Sequence, residues 1–233
     1  LEEVFDRATL MIIYRMLNRG EIGKIFGVVK AGKESRLYWG LRSDEKEIAI
    51  KVYLTTSAQF RRGMISYVEG DSRFRRIGRD TRSLVYLWAQ KEFKNLHLAD
   101  ASSVRVPKPI VVRGNVLLME FVGRDGVPAP LMREAKIRAP LRVYNELVEH
   151  VGRLYSRAKI VHGDLSEYNV MIYHGNPVIF DFSQAVPVSH PMAETLLKRD
   201  LANLSHFFSK LNVHVASADE AYAKVVGREP EPS

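Results

Sequence analysis

Three polar side chains stand out by type and spacing. Asp164 and Asn169 lie five positions apart in His162-Gly163-Asp164-Leu165-Ser166-Glu167-Tyr168-Asn169, and Asp181 follows twelve positions later in Ile179-Phe180-Asp181-Phe182. An aspartate and an asparagine so spaced in a loop can face one small volume. The Asp164 carboxylate could accept a hydroxyl proton or orient a nucleophile, and the Asn169 carbonyl oxygen could ligate Mg²⁺. A carboxylate at Asp181, at the end of a hairpin strand, would share that ion. Magnesium takes few protein oxygens and leaves its other positions to water and phosphate, which suits Asn169 with Asp181. The plainer alternative is that Asp164 and Asn169 cap a turn and Asp181 caps a helix.

A cation comes next. Lys51 lies in Ile48-Ala49-Ile50-Lys51-Val52, an apolar alternating strand where a charge is costly without a partner. An ATP phosphate and a carboxylate would supply one. Glu92, in the following helix, is the candidate carboxylate, and Glu69 is a worse one. The alternative for both Lys51 and Glu92 is a solvent-facing position. Gly27 to Ser35 almost spells a Walker phosphate loop, but Glu34 stands where Ser or Thr is required and the context is strand–turn–strand. A glycine turn closing over ATP fits better: Gly32 would allow close backbone approach, and Lys33 or Ser35 would touch phosphate. An ordinary hairpin turn is the alternative. Farther on, Leu117 to Gly123 reads as an apolar strand ending at a glycine. There Glu120 C=O and Val122 N–H have the spacing to hold adenine, with Met119 beside the base.

The elements that must position these groups follow from periodicity. Asp6 to Arg19 has helical spacing and stops at Gly20. Ile25–Val29, Ser35–Leu41 and Glu47–Tyr53 read as an antiparallel meander. Residues 54–82 read as an irregular flexible loop rich in arginine: Arg61, Arg62, Arg73, Arg75, Arg76, Arg79 and Arg82. A helix over Thr81–His97 and strands at Pro109–Val112 and Val116–Phe121 complete a strand-rich half. Beyond Gly123 helices dominate: Leu141–Arg157, then, after a loop at Ile160–Asn169 and a hairpin Val170–Tyr173/Pro177–Phe180, helices with Pro191 near a start and Asp200–Leu211 as a long one. The expected division is a helical extension over 1–20, an N-lobe over 21–122 and a C-lobe over 123–233, with the hinge near Glu120–Gly123.

Composition sets outer limits. The chain has 233 residues, 46% hydrophobic and 27% charged, the proportions of a globular protein. It has no cysteine, which excludes disulfides, thiolate-bound zinc, iron–sulfur clusters and a cysteine nucleophile, and fits a reducing, cytoplasmic setting. The formal charge of +8 points to polyanionic partners: nucleotide phosphates, RNA or a membrane surface. No apolar run is long enough to span a bilayer, so no membrane role is expected. Asn203-Leu204-Ser205 matches a glycosylation sequon, read as incidental.

Together these residues resemble the protein kinase-like fold and, within it, the RIO kinase family, RIO-one subfamily, of archaeal type. The matching segments are Gly32–Ser35, Ala49–Tyr53, Lys91–Leu96, Leu117–Gly123, His162–Asn169, Asp181–Ala185 and His190–Glu194. The resemblance implies a bilobal α+β fold, an antiparallel N-lobe sheet plus helix over a reduced helical C-lobe. It implies no winged-helix domain, activation segment or peptide-docking helices. It makes Asp164 the catalytic aspartate, Asn169 and Asp181 the Mg²⁺ ligands (Mn²⁺ being an alternative ion), and Lys51 the phosphate contact. Glu120 and Val122 become the adenine contacts. It further implies a phosphoaspartate at Asp181, autophosphorylation (Ser57, Ser66 and Ser72 are candidates), ATPase activity, and work on a pre-small-ribosomal-subunit particle, with no DNA partner. Departures from ordinary kinases are the missing arginine in His162-Gly163-Asp164 and the missing glycine in Asp181-Phe182-Ser183. Two rival functions remain. A small-molecule phosphotransferase of the aminoglycoside or choline kinase type would turn over those substrates. A nucleotide-locked RNA-binding scaffold would bind ATP without turnover.

Overall fold

The computed structural model describes residues 5–55, 64, 67, 71, 73 and 80–227. Arg61, Arg62, Arg75, Arg76 and Arg79, together with Glu69, Ser57, Ser66 and Ser72, lie outside the described residues.

The chain divides into two compact units. The first takes in the residues up to Lys94 together with Pro107–Pro128; the second takes in Asn95–Val106 and everything from Ala129 onward. In the first unit, helix α1 (Arg7–Asn18) begins where the Asp6 carboxylate accepts a hydrogen bond from Thr9 N–H at 2.7 Å. Five strands follow: β1 (Lys24–Ala31), β2 (Ser35–Leu41), β3 (Glu47–Tyr53), β4 (Pro109–Arg113) and β5 (Val116–Glu120). They form one antiparallel sheet in the order β1-β2-β3-β5-β4.

Register sorts the two faces of this sheet, because directly opposed residues point the same way. Tyr38, Ile50 and Leu118 oppose one another and share a core with Ile13 and Met16 of α1. Leu37, Lys51 and Leu117 oppose one another on the other face, as do Trp39, Ala49 and Met119. Helix α2 (Thr81–Ala101) buries Leu84, Val85, Trp88 and Ala89 in a cluster with Tyr53.

In the second unit, α3 (Pro140–Arg153) starts with proline at a position where a missing N–H costs nothing and buries Val143, Leu147, Val148 and Val151. The helix expected to run on to Arg157 instead widens into one π turn, Leu154–Ala158, and ends where Lys159 turns left-handed at φ 57°. Strand β8 (Ile160–Val161) pairs with β11 (Val186–Pro187). The hairpin β9 (Val170–Tyr173) and β10 (Asn176–Ile179) closes through His174 and Gly175, both at positive φ as a primed turn needs. Helix α4 (Ala193–Ser209) begins just after the expected start near Pro191 and runs unbroken through the segment 200–209, with Leu196, Leu197, Leu201 and Leu204 on its buried stripe. Helix α5 (Ala218–Val226) carries a capping box between Ser217 and Glu220.

The observed units differ from the division read off the sequence. Residues 7–18 are no separate extension, since Ile13 and Met16 complete the sheet's core. Residues 123–128 stay with the first unit because β6 (Gly123–Arg124) and β7 (Val127–Pro128) form a hairpin, whose Gly126 N–H donates to Glu47 Oε1 at 2.9 Å. A Cβ at Gly126 would stand 2.8 Å from the Trp39 ring, so glycine is required there. Residues 95–106 join the second unit through hydrogen bonds from Asn95 and to the carbonyl of Arg105. No helix among the described residues is long and apolar enough to cross a membrane.

Candidate active site

The second unit assembles the carboxylate–amide set. Asp164 sits between β8 and β9, and Asp181 directly after β10. Two hydrogen bonds tie these segments together: Phe180 N–H donates to Asn169 C=O at 3.0 Å, and His162 Nε2 meets Phe180 C=O at 3.1 Å. Asp164 N–H approaches His162 Nδ1 at 3.3 Å, so the imidazole accepts at Nδ1 and donates from Nε2 as a neutral ring. The Asn169 amide nitrogen donates to Asp164 C=O at 2.7 Å and to Asp164 Oδ2 at 3.1 Å. That leaves the Asn169 carbonyl oxygen as the end of the amide not engaged by Asp164.

Asp164 titrates above the usual carboxylate range. Burial is the main cause, the Asp181 charge adds to it, and the Asn169 hydrogen bond and Arg199 pull the other way. Asp181 stands in the left-handed region at φ 64°, ψ 65°, which is rare for a residue with a side chain. It occupies the N-cap position of the 3₁₀ turn Phe182–Gln184, yet its side chain makes no cap bond and instead accepts from Ser183 Oγ at 2.8 Å. The helix-cap alternative for Asp181 therefore fails. Two like charges and one amide oxygen suit magnesium: a bound cation would offset the repulsion that raises Asp164. Among the described residues, no group of three or more His, Asp or Glu side chains offers a richer cage.

Helix α4 holds this loop from below. Asp200, 1% exposed, accepts from Gly163 N–H at 2.8 Å with one carboxylate oxygen and from Leu165 N–H at 2.9 Å with the other. Burial pushes its pKa up to about 7 against the pull of those two N–H groups. Arg199 donates to Gly163 C=O, and the Asn203 amide donates to Leu165 C=O at 3.0 Å. The sequon asparagine is thus engaged by the loop. From α2, Asn95 Nδ2 donates to Phe182 C=O at 3.0 Å and Ala185 C=O at 3.1 Å, fixing the turn after Asp181. None of these supports was singled out in the sequence. The available signal was weak: a lone aspartate among Leu196, Leu197, Leu201 and Leu204, and an asparagine in the middle of a helix.

The first unit holds the cation. Lys51 Nζ lies 2.9 Å from each Glu92 oxygen, with the two residues 8% and 1% exposed. Tyr53 O–H donates to Glu92 Oε2, and Lys51 Nζ stands 5.0 Å from the Tyr53 ring centroid. Neither Lys51 nor Glu92 faces solvent. Tyr53, two positions along the same strand face, was the missed third member. Ser35 opposes Tyr53 and so shares the Lys51 face, while Lys33 is exposed at the turn that Gly32 N–H closes on Ser35 C=O at 2.9 Å. Met119 opposes Ala49, Glu120 ends β5, and Val122 lies just beyond the ladder.

An antiparallel five-stranded sheet bearing a lysine paired to a helix glutamate, and a helical unit bearing an Asp–Asn loop with a following Asp, define a protein kinase-like α+β fold in reduced form. The RIO domain matches residues 36–221. The chain is 42% identical over 230 residues to the RIO-type serine/threonine-protein kinase Rio1 of Haloferax volcanii, covering 99% of this chain and 78% of that one. It is 38% identical over 230 residues to the human serine/threonine-protein kinase RIO1, covering 95% of this chain and 40% of that one. The solved Rio2 kinase–ADP/Mg²⁺–phosphoaspartate complex from Chaetomium thermophilum superposes with a TM-score of 0.69 at 22% identity, over 95% of this chain and 67% of that one. The chain belongs to the RIO family and is a phosphotransferase enzyme.

Proposed function

We propose that the chain is a Mg-ATP-dependent serine/threonine kinase and ATPase of Rio1 type that also phosphorylates itself. The observation that carries this reading is the Asp164–Asn169–Asp181 arrangement, with an amide oxygen oriented away from Asp164 and two carboxylates that repel. Asn169 and Asp181 would hold magnesium, which neutralises phosphate charge when bound. The Lys51 ammonium, aimed by Glu92, neutralises phosphate charge as well. Adenine would be held by backbone atoms of Glu120 and Val122 beside Met119, with Gly32, Lys33 and Ser35 near the phosphates.

Asp164 orients the attacking hydroxyl or water and takes its proton as the bond to the γ-phosphorus forms and the bond to the ADP oxygen breaks. A carboxylate acceptor needs no proton removed. Attack by an Asp181 oxygen would leave an acyl phosphate and ADP, and water would later release inorganic phosphate. The solved Rio2 complex holds a phosphoaspartate, which supports the same route here. Work on a pre-small-ribosomal-subunit particle in the cytoplasm belongs to the same proposal, supported by the basic charge of +8 and the lack of cysteine.

Incubation with γ-labelled Mg-ATP tests the reading. Acid-stable label on the chain reports phosphoserine or phosphothreonine, hydroxylamine-labile label reports the acyl phosphate, and free phosphate reports hydrolysis. No label and no phosphate release would overturn it.

A further inference from the structure

The first unit has a second recess that the phosphoryl-transfer reading does not use. It is a cavity of about 520 Å³ walled by α1, α2 and the turn between β4 and β5. Its floor is apolar and comes from α1, where Met11, Ile12 and Met16 face it. Its rim is cationic: Arg15 and Arg19, one helical turn apart, and Arg113 from the β4–β5 turn.

The recess is built by close packing rather than left by loose packing. Gly114, at φ 54°, lets the turn approach both helices. A Cβ there would stand 2.6 Å from Ile12 Cδ1 and 3.1 Å from the Tyr86 ring. Arg113 is held in place by Glu21, its Nη2 donating to Oε1 at 2.7 Å. Among the described residues, Arg15 and Arg19 have no carboxylate partner and both are exposed. Three guanidinium groups against one carboxylate leave the rim with a surplus of positive charge. Met11, one of the residues lining the recess, is 44% exposed.

We propose that this recess docks an acidic peptide segment of a partner protein, one carrying apolar side chains at helical spacing among its carboxylates. Charge complementarity selects the occupant. Guanidinium forks pair with carboxylates in two-point hydrogen bonds, and a methionine-lined floor adapts to aliphatic side chains. Single-stranded nucleic acid would be expected to use several exposed aromatic faces along a basic track. Among the described residues that line the recess, the only aromatic one is Tyr86, half-buried against Gly114.

The test is fluorescence polarisation on the full chain with a short fluorescein-labelled glutamate-rich peptide carrying leucines at helical spacing. Wild type is expected to bind it, and the same peptide with serine for leucine is expected to bind about tenfold more weakly. The double variant Arg15→Glu/Arg19→Glu should weaken binding by about tenfold or more. Met11→Asp should weaken it while melting like wild type. Arg124→Glu, an exposed charge change elsewhere on the same unit, should leave binding unchanged. Label transfer from ATP should be unchanged in the Arg15→Glu/Arg19→Glu protein, which keeps this result separable from the catalytic reading. Failure of wild type to bind, equal binding of the serine peptide, equal loss in Arg124→Glu, or displacement of the peptide by an equimolar RNA oligonucleotide would each overturn the proposal.

Discussion

Asp164 and Asp181 raise the free energy of each other's charge, and Asn169 donates both to Asp164 C=O and to its carboxylate. A proton-accepting role for Asp164 gives a direct expectation: Asp164→Ala should slow phosphoryl transfer by roughly 10²–10⁴ while nucleotide binding, read by quenching or calorimetry, is kept. Lys51 and Glu92 form a different pair, buried together with the Tyr53 hydroxyl on the same carboxylate. Removing one member strands the other charge, so Glu92→Ala should cost about 3–5 kcal/mol in denaturant unfolding. Lys51→Met/Glu92→Met should cost less than Glu92→Ala alone yet remain inactive, which separates the pair's work on phosphate from its work on stability. At this scale the Lys51–Glu92 pair and the Asp164–Asn169 contact were legible in the sequence, because Asp, Asn and Lys of those types at those spacings have few structural uses in common. Tyr53 was not legible: a tyrosine in a strand reads as core, and only the register shows that it reaches Glu92.

The catalytic loop is held by helix α4, whose Asp200 divides its two oxygens between Gly163 N–H and Leu165 N–H. Asp200→Ala should lower kcat on the order of 10²-fold through misplacement of Asp164, with KM for ATP changed far less. Asp200→Asn should fail to restore the rate. An amide has one acceptor oxygen, and its NH₂ would face one of the two backbone donors. The meander and the helices were legible because apolar alternation and helical spacing are local. The π turn after α3 and the β6–β7 hairpin were not. Each is decided by packing partners distant in sequence, such as Trp39 against Gly126. The hinge inferred at Glu120–Gly123 sits inside the first unit for the same reason.

At the scale of the whole molecule, His150 should add an acid limb to folding stability, opposed over the same pH range by buried Asp200, whose raised pKa acts with the other sign. The His150 side chain on α3 is 5% exposed, and among the described residues neither ring nitrogen has a hydrogen-bond partner. Burial, aided by Arg153 and opposed by Glu149, lowers its pKa to about 4. The unfolded chain takes up this proton near its ordinary pKa of about 6.5, so the contribution is complete above that pH and is lost as pH falls toward 4. His150→Leu should flatten that limb by a few kcal/mol, roughly, in thermal melts run from neutral to acid pH, and should melt above wild type at the acid end. In the proposed mechanism Lys51 and Glu92 belong to one unit and Asp164, Asn169 and Asp181 to the other. One measurement tests that account most directly: single-turnover release and transfer of label from γ-labelled Mg-ATP by wild type and Asp181→Asn at matched magnesium. The expected result is loss of both label transfer and phosphate release in Asp181→Asn, with melting temperature unchanged. Turnover at the wild-type rate, with the same dependence on magnesium, would contradict it.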